Sequence, residues 1–231
     1  MNTTMYDKLL QLPLFQGLCK SDMTKILEKV RLNFQHFEKG ERIISQGDTC
    51  HELYFLLDGA LIAETKDEEH QYILREDLTN PMIIEPYSIY GMHTVYDSSY
   101  IAKTDVGILS IDKSYILKML QDYPIFLLNL VNMLSNRVKT LRSKIWNTHI
   151  GKVEQKIVSF LTQRFISAEG HKEVVIRMID MASMLHEPRI NVSIALNKFE
   201  RLGLMELNRM TINIPTMEDL TKYVFELKTD E

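Results

Sequence analysis

Toward the C-terminal end of the 231-residue chain, Arg189-Ile190-Asn191-Val192-Ser193-Ile194 gathers side chains able to read a base pair within two helical turns. The Arg189 guanidinium presents donors in the fork that fits guanine O6 and N7, and the Asn191 amide offers the donor and acceptor that fit adenine. Ser193, Asn197 and Lys198 supply further polar contacts on the same segment. Ile190 and Ile194, one turn apart, have two readings: they meet thymine methyl groups, or they belong to a packing surface. Val192, Ala195, Leu196, Phe199 and Leu202 recur at i, i+3, i+4, i+7 and i+10 and are expected to form the core face of a helix. The base-reading set then lies on the other face, with Pro188 at the start and Gly203 as the stop.

The elements that must position this helix can be read around it. Ile179 to Leu185 is a short helical pattern with the small Ala182 where two backbones approach closely, and His186-Glu187 makes the turn. Beyond the second helix, Leu204 to Leu207, Asn208-Arg209 and Met210 to Ile214 read as strand, turn and strand, closed by Pro215. Lys152 to Ser167 is helical and Glu173 to Ile176 strand-like. Two helices on a tight turn followed by a small hairpin is the arrangement of a winged helix-turn-helix. Lys172, Arg177 and Arg209 are expected to reach flanking phosphates.

Upstream, Leu127, Val131, Leu134, Val138, Leu141 and Ile145 are separated by 4, 3, 4, 3 and 4 residues, the a/d seam of a coiled coil. Packing on the chain's own barrel is one explanation; a strict seam after a finished β domain favours the same helix from a second copy. From Leu32 to Ile111 the texture is of short strands: Arg42 to Ser45, Glu52 to Leu57, Ala60 to Thr65, Tyr72 to Leu74, Ile101 to Thr104 and Val106 to Ile111. Gln46-Gly47-Asp48, Asp58-Gly59 and Lys66 to Glu69 punctuate them as turns, the pattern of a sandwich or jelly-roll barrel. Residues 6–30 read as short helices interrupted by Pro13 and Gly17.

Bulk charge argues the other way from the helix: 27 Lys+Arg against 31 Asp+Glu give a net charge of −4, so the composition does not announce a nucleic-acid binder. The cysteines are Cys19 and Cys50 alone, too few for a disulfide scaffold, which points to a reducing cytosol. No apolar run of about 18 residues suggests a membrane span, and the first ten residues lack the apolar core of an export signal. The seven histidines are scattered singly, without the His-x-His of a cupin metal site, and no nucleophile elbow, Walker A loop or Gly-rich dinucleotide loop occurs. The expectation is a non-enzyme that needs no metal or cofactor.

Gln46-Gly47-Asp48 and Tyr54-Phe55-Leu56-Leu57-Asp58-Gly59, followed by a long helix and a winged helix-turn-helix, resemble the Crp/Fnr transcription regulators over nearly the whole chain. The resemblance implies an α+β fold: an N-terminal β jelly-roll barrel (1–112), a long dimerisation helix region (113–147) and a C-terminal winged helix-turn-helix domain (148–231). It also implies a cytoplasmic homodimer on double-stranded DNA with a palindromic site, and RNA polymerase and a small-molecule effector as further partners. The matching groove positions are Arg189, Ile190 and Ile194; relatives often carry Glu and Arg where the isoleucines stand. In cyclic-nucleotide-binding relatives a Glu holds the ribose 2′-hydroxyl and an Arg pairs with the phosphate. Glu85 matches the first, but no arginine lies between Glu85 and Tyr100, and Tyr96 stands at the phosphate-pairing position. Cyclic AMP is therefore not the expected ligand. Tyr87, Tyr96 and Tyr100, with Glu85, either line a pocket for another effector or fill the barrel. Ile190, Ile194 and Glu187 keep open an alternative, a protein-interaction scaffold with a drifted helix-turn-helix.

Overall fold

Leu53, Phe55, Leu56 and Leu57 are all buried, so the strand that carries them is covered on both faces and must lie inside a sheet. That strand is β3 (Glu52–Asp58). A computed structural model describes residues 5–79, 81–146 and 151–225 and places β3 in a four-stranded sheet ordered β1-β8-β3-β6, with β1 at Leu32–Phe37, β6 at Met82–Ile84 and β8 at Val106–Asp112. β2 (Arg42–Ile44) pairs antiparallel with β7 (Ser99–Ala102). At the turn after β3, Gly59 has φ 86°, and a Cβ there would stand 2.3 Å from the Asp105 carbonyl oxygen, so only glycine fits. This is the jelly-roll texture the sequence suggests, with β1 and β6 additions to the strands read there.

The chain forms two compact units, residues 1–61 with 79–139 and residues 62–78 with 140–231. In the first, α1 (Met5–Gln11), a 3-10 turn (Pro13–Phe15) and α2 (Lys20–Lys29) precede the strands, and α3 (Lys113–Asp122) and α4 (Pro124–Trp146), the latter as far as Lys139, follow them. The helical pattern after Lys113 is thus not continuous: Pro124 lacks the N–H that would extend α3, and it opens α4 instead. Phe15 ties the unit together, its ring 5.6 Å from Phe55 and 5.5 Å from Phe126. Asn129 Nδ2 adds donations to the carbonyls of Leu14 (3.1 Å) and Gln16 (2.7 Å).

The second unit holds α5 (Val153–Arg164), β9 (Lys172–Val175), α6 (Met178–Met184), α7 (Arg189–Arg201), β10 (Glu206–Asn208), β11 (Thr211–Ile214) and α8 (Met217–Phe225). It also takes in β5 (Tyr72–Thr79) up to Leu78, and β4 (Ala60–Asp67) from Ile62 onward, in the strand order β10-β11-β9-β5-β4. β5 and β9 pair antiparallel from Ile73↔Val175 to Glu76↔Lys172. The expected turn at Lys66 to Glu69 therefore moves outward: Lys66 and Asp67 stay in β4, and β5 runs well past Leu74, because the hairpin has a neighbour to pair with. Nor do the expected boundaries at 112/113 and 147/148 separate these units.

Lys172 corrects the expectation most sharply. Its side chain is wholly buried, and its ammonium donates to Glu76 Oε2 at 3.1 Å and to the Glu169 carbonyl at 2.6 Å, so it cannot reach a phosphate. Glu76 also accepts from the N–H groups of Ile166 (2.7 Å) and Ser167 (3.1 Å), pinning the corner between α5 and β9. Removing one partner of a buried pair strands the other charge. Lys172→Met is expected to lower unfolding free energy by about 3–5 kcal/mol in urea denaturation; a loss below about 1 kcal/mol contradicts this role.

Candidate nucleic-acid interface

The α6–α7 turn is closed by its own backbone. His186 N–H donates to the Ser183 carbonyl (3.1 Å) and Glu187 N–H to the Ala182 carbonyl (3.0 Å), with His186 in the left-handed region at φ 51°. Pro188 is the N-cap of α7, with φ −58° already suited to helix entry. Val192, Ala195, Leu196 and Phe199 are buried in one cluster with Ile157, Val158, Leu161 and Met181. Phe199 also meets Tyr223 of α8 edge to face at 6.2 Å. Leu202, expected on this core face, is instead exposed, because the helix has ended: Leu202 is the C-cap and Gly203 turns away at φ 71°.

On the opposite side Arg189, Ile190, Asn191, Ile194, Asn197 and Arg201 are exposed and Ser193 is half-buried. Two members of the expected set are engaged by other groups of the unit. Asn197 Nδ2 donates to the Ser193 carbonyl at 2.8 Å, and Lys198 Nζ donates to Glu154 Oε1 of α5 at 3.0 Å. The Glu154 carboxylate beside it raises the Lys198 pKa. Arg209 is exposed in the β10–β11 turn, where Met210 takes φ 64°. Neighbouring cations are also partnered: Lys156 with Glu187 at 2.6 Å, and Arg177 Nη2 with Asp180 at 3.0 Å. Arg177, expected at flanking phosphates, is thus paired with a carboxylate in the first turn of its own helix. The acids that neutralise these cations lie far from them in sequence or look solvated, so composition alone does not reveal the pairing.

α4 has two faces. Phe126 and Leu130 are buried, whereas Leu127, Val131, Val138 and Leu141 of the expected seam are exposed, Val138 by 65%, and Leu134 is half-buried. The side chain of Ile145 lies outside the described residues. The sequence offered own-barrel packing and a partner helix as alternatives; Phe126 and Leu130 form the buried stripe, and the exposed seam residues are not part of it.

The expected effector residues divide. Both oxygens of the buried Glu85 carboxylate are taken: Oε1 accepts from Ser98 N–H and Tyr100 O–H, both at 3.0 Å, and Oε2 from Asp97 N–H at 2.8 Å and Ser88 Oγ at 3.0 Å. Burial raises the Glu85 pKa, opposed by the Asp97 N–H and the Ser88 and Tyr100 hydroxyls. Tyr96 donates elsewhere, to the Glu52 carbonyl at 2.7 Å, and burial drives its phenol far above its ordinary pKa. Tyr87 is half-buried beneath the Arg137 guanidinium, 5.7 Å from its ring centroid. A polar cavity of about 500 Å³ in the same unit is lined by Arg31, Glu52, Asp112 and Lys118 instead, and no motif in the sequence marks it.

Residues 34–123 match the family described as the cyclic nucleotide-binding domain. The catabolite activator protein of Thermus thermophilus is 19% identical, with 93% of this chain and 99% of that chain covered and a TM-score of 0.53. The c-di-GMP-responsive global regulator CLP of Xanthomonas campestris is 13% identical over 85% of this chain and 99% of that one, with a TM-score of 0.51. Among curated proteins none matches. The chain has the fold of the Crp/Fnr transcription regulators, α+β with an N-terminal jelly roll, as the sequence motifs imply.

A carboxylate has about four acceptor positions, and Glu85 has four internal donors, which leaves none for a ribose hydroxyl. Calorimetric titration with cyclic AMP and cyclic GMP is expected to show no binding at low micromolar concentration; a dissociation constant in that range contradicts the assignment. Glu85→Gln turns an amide N–H₂ toward backbone N–H groups and is expected to destabilise by about 1–3 kcal/mol in denaturant titration.

Proposed function

We propose that this chain is a sequence-specific DNA-binding transcription regulator of the Crp/Fnr type, acting as a homodimer and without enzymatic activity. The observation that carries the reading is the division of α7: its core stripe is satisfied within the unit, while Arg189, Ile190, Asn191 and Ile194 stand exposed in its first two turns. In helix-turn-helix proteins the N-terminal residues of the second helix contact base edges in the major groove. Arg209, in the turn of the wing, suits an adjacent phosphate.

The exposed ridge on α4 supports the dimer. An apolar stripe at seam spacing is stabilised by burial against its own copy, and a twofold axis through it gives two recognition helices on half-sites about 34 Å apart. In this reading Glu85 and Tyr100 are structural, and any effector binds by a chemistry other than the family's cyclic-nucleotide mode. In this reading RNA polymerase is a further partner where the regulator activates transcription. No helix among the described residues is long and apolar enough to cross a membrane.

Fluorescence anisotropy on duplexes selected from a randomised pool tests this. Binding is expected to be specific and to weaken steeply with salt. Arg189→Ala is expected to cost about 1–3 kcal/mol and to relax preference at one base pair. Absence of any preferred duplex supports the scaffold reading, which the partnered cations around α6 favour. Val138→Glu is expected to give a monomer in sedimentation and to abolish binding to the full site; a monomer that binds the palindrome as well as wild type contradicts the dimer.

A further inference from the structure

Ile190 and Ile194 are 68% and 60% exposed on the same face of α7, one turn apart. They are not surplus core: Val192, Ala195, Leu196 and Phe199 complete the buried stripe without them. Their polar neighbours are thinned, because Asn197 is bonded back to Ser193 and Lys198 to Glu154. The N-terminal half of α7 therefore offers a guanidinium, an amide and two branched alkyl groups.

We propose that Ile190 and Ile194 are specificity-determining residues that read the 5-methyl groups of thymines, so that each half-site carries A·T pairs beside the guanine addressed by Arg189. The proposal rests on the DNA-binding reading above and names what that surface selects. The thymine methyl is the apolar group that base edges present in the major groove, and contact with it excludes water from both partners. Side chains at i and i+4 stand about 6 Å apart, close to the roughly 7 Å spanned by two base-pair steps of about 3.4 Å each. Each isoleucine can thus meet a methyl on its own base pair. Charge complementarity favours this occupant over a protein partner: Arg201 and Arg209, both exposed in the same unit, carry the sign that phosphates require and leave Arg189 to the guanine.

The test uses the full-length protein and the duplex it selects from a randomised pool, with deoxyuridine replacing thymidine position by position. Deoxyuridine removes the methyl and leaves the hydrogen-bonding edge unchanged. Wild type is expected to bind about fourfold more weakly for each contacted methyl removed, the value of one buried methylene-sized group. The Ile190→Ala/Ile194→Ala variant is expected to be indifferent to the same replacements while keeping its guanine preference. Both positions are exposed, so its thermal unfolding should match wild type. If wild type ignores deoxyuridine, or the variant remains as sensitive as wild type, the proposal is overturned while specific, salt-dependent binding still upholds the regulator. If no duplex is enriched at all, the DNA reading fails and this one with it.

Discussion

What the C-terminal unit shows to solvent is decided by four side chains of α7, because a helix can bury only one stripe. Val192, Ala195, Leu196 and Phe199 lock into a cluster built from α5, α6, α8 and the wing strands, and this fixes the rotation of α7 about its axis. Arg189, Ile190, Asn191 and Ile194 face outward as a consequence of that rotation. The left-handed His186 and the prolyl N-cap set where α7 begins, so the same four residues fall in its first two turns. A slip of one residue in the buried stripe would carry the guanidinium by about 100° around the helix and off the face.

Charge is arranged around that surface rather than spread over it. Lys156, Lys172, Arg177 and Lys198 each have a carboxylate partner within the unit, and Arg75 bridges Glu64 and Glu173. A net charge of −4 is thus compatible with a recognition helix, since the exposed guanidiniums at 189, 201 and 209 act within a Debye length of about 8 Å. The same internal pairing limits sequence-independent attraction to phosphate, so in the proposed function the weight of recognition falls on base contacts and on two helices acting together. The first unit shows a parallel arrangement: Glu85 accepts from Ser88, Asp97, Ser98 and Tyr100 and so ties together the segment from Glu85 to Tyr100.

Periodicity made the architecture legible. The helix-turn-helix and its wing, the α4 seam and the run of short strands each announce themselves through local spacing of apolar residues. What the sequence does not display is long-range partnership. Lys172 looks like a surface lysine, and only the pairing of β5 with β9, about a hundred residues apart, shows it buried against Glu76. Lys198 sits on the polar face of its helix by spacing, yet Glu154 turns it aside. Leu202 continues the apolar period one residue past Arg201, where the helix ends, and Gly203 then turns the chain away. Helix α8 and strand β6 carry short, ordinary patterns that gain definition from what they pack on.

The central claim is that two copies of α7 address one duplex. Hydroxyl-radical footprinting of the full-length protein on a selected duplex measures this directly. The account predicts two protected patches on one face of the DNA, separated by about one helical turn. A single short patch, or uniform protection without phase, contradicts it.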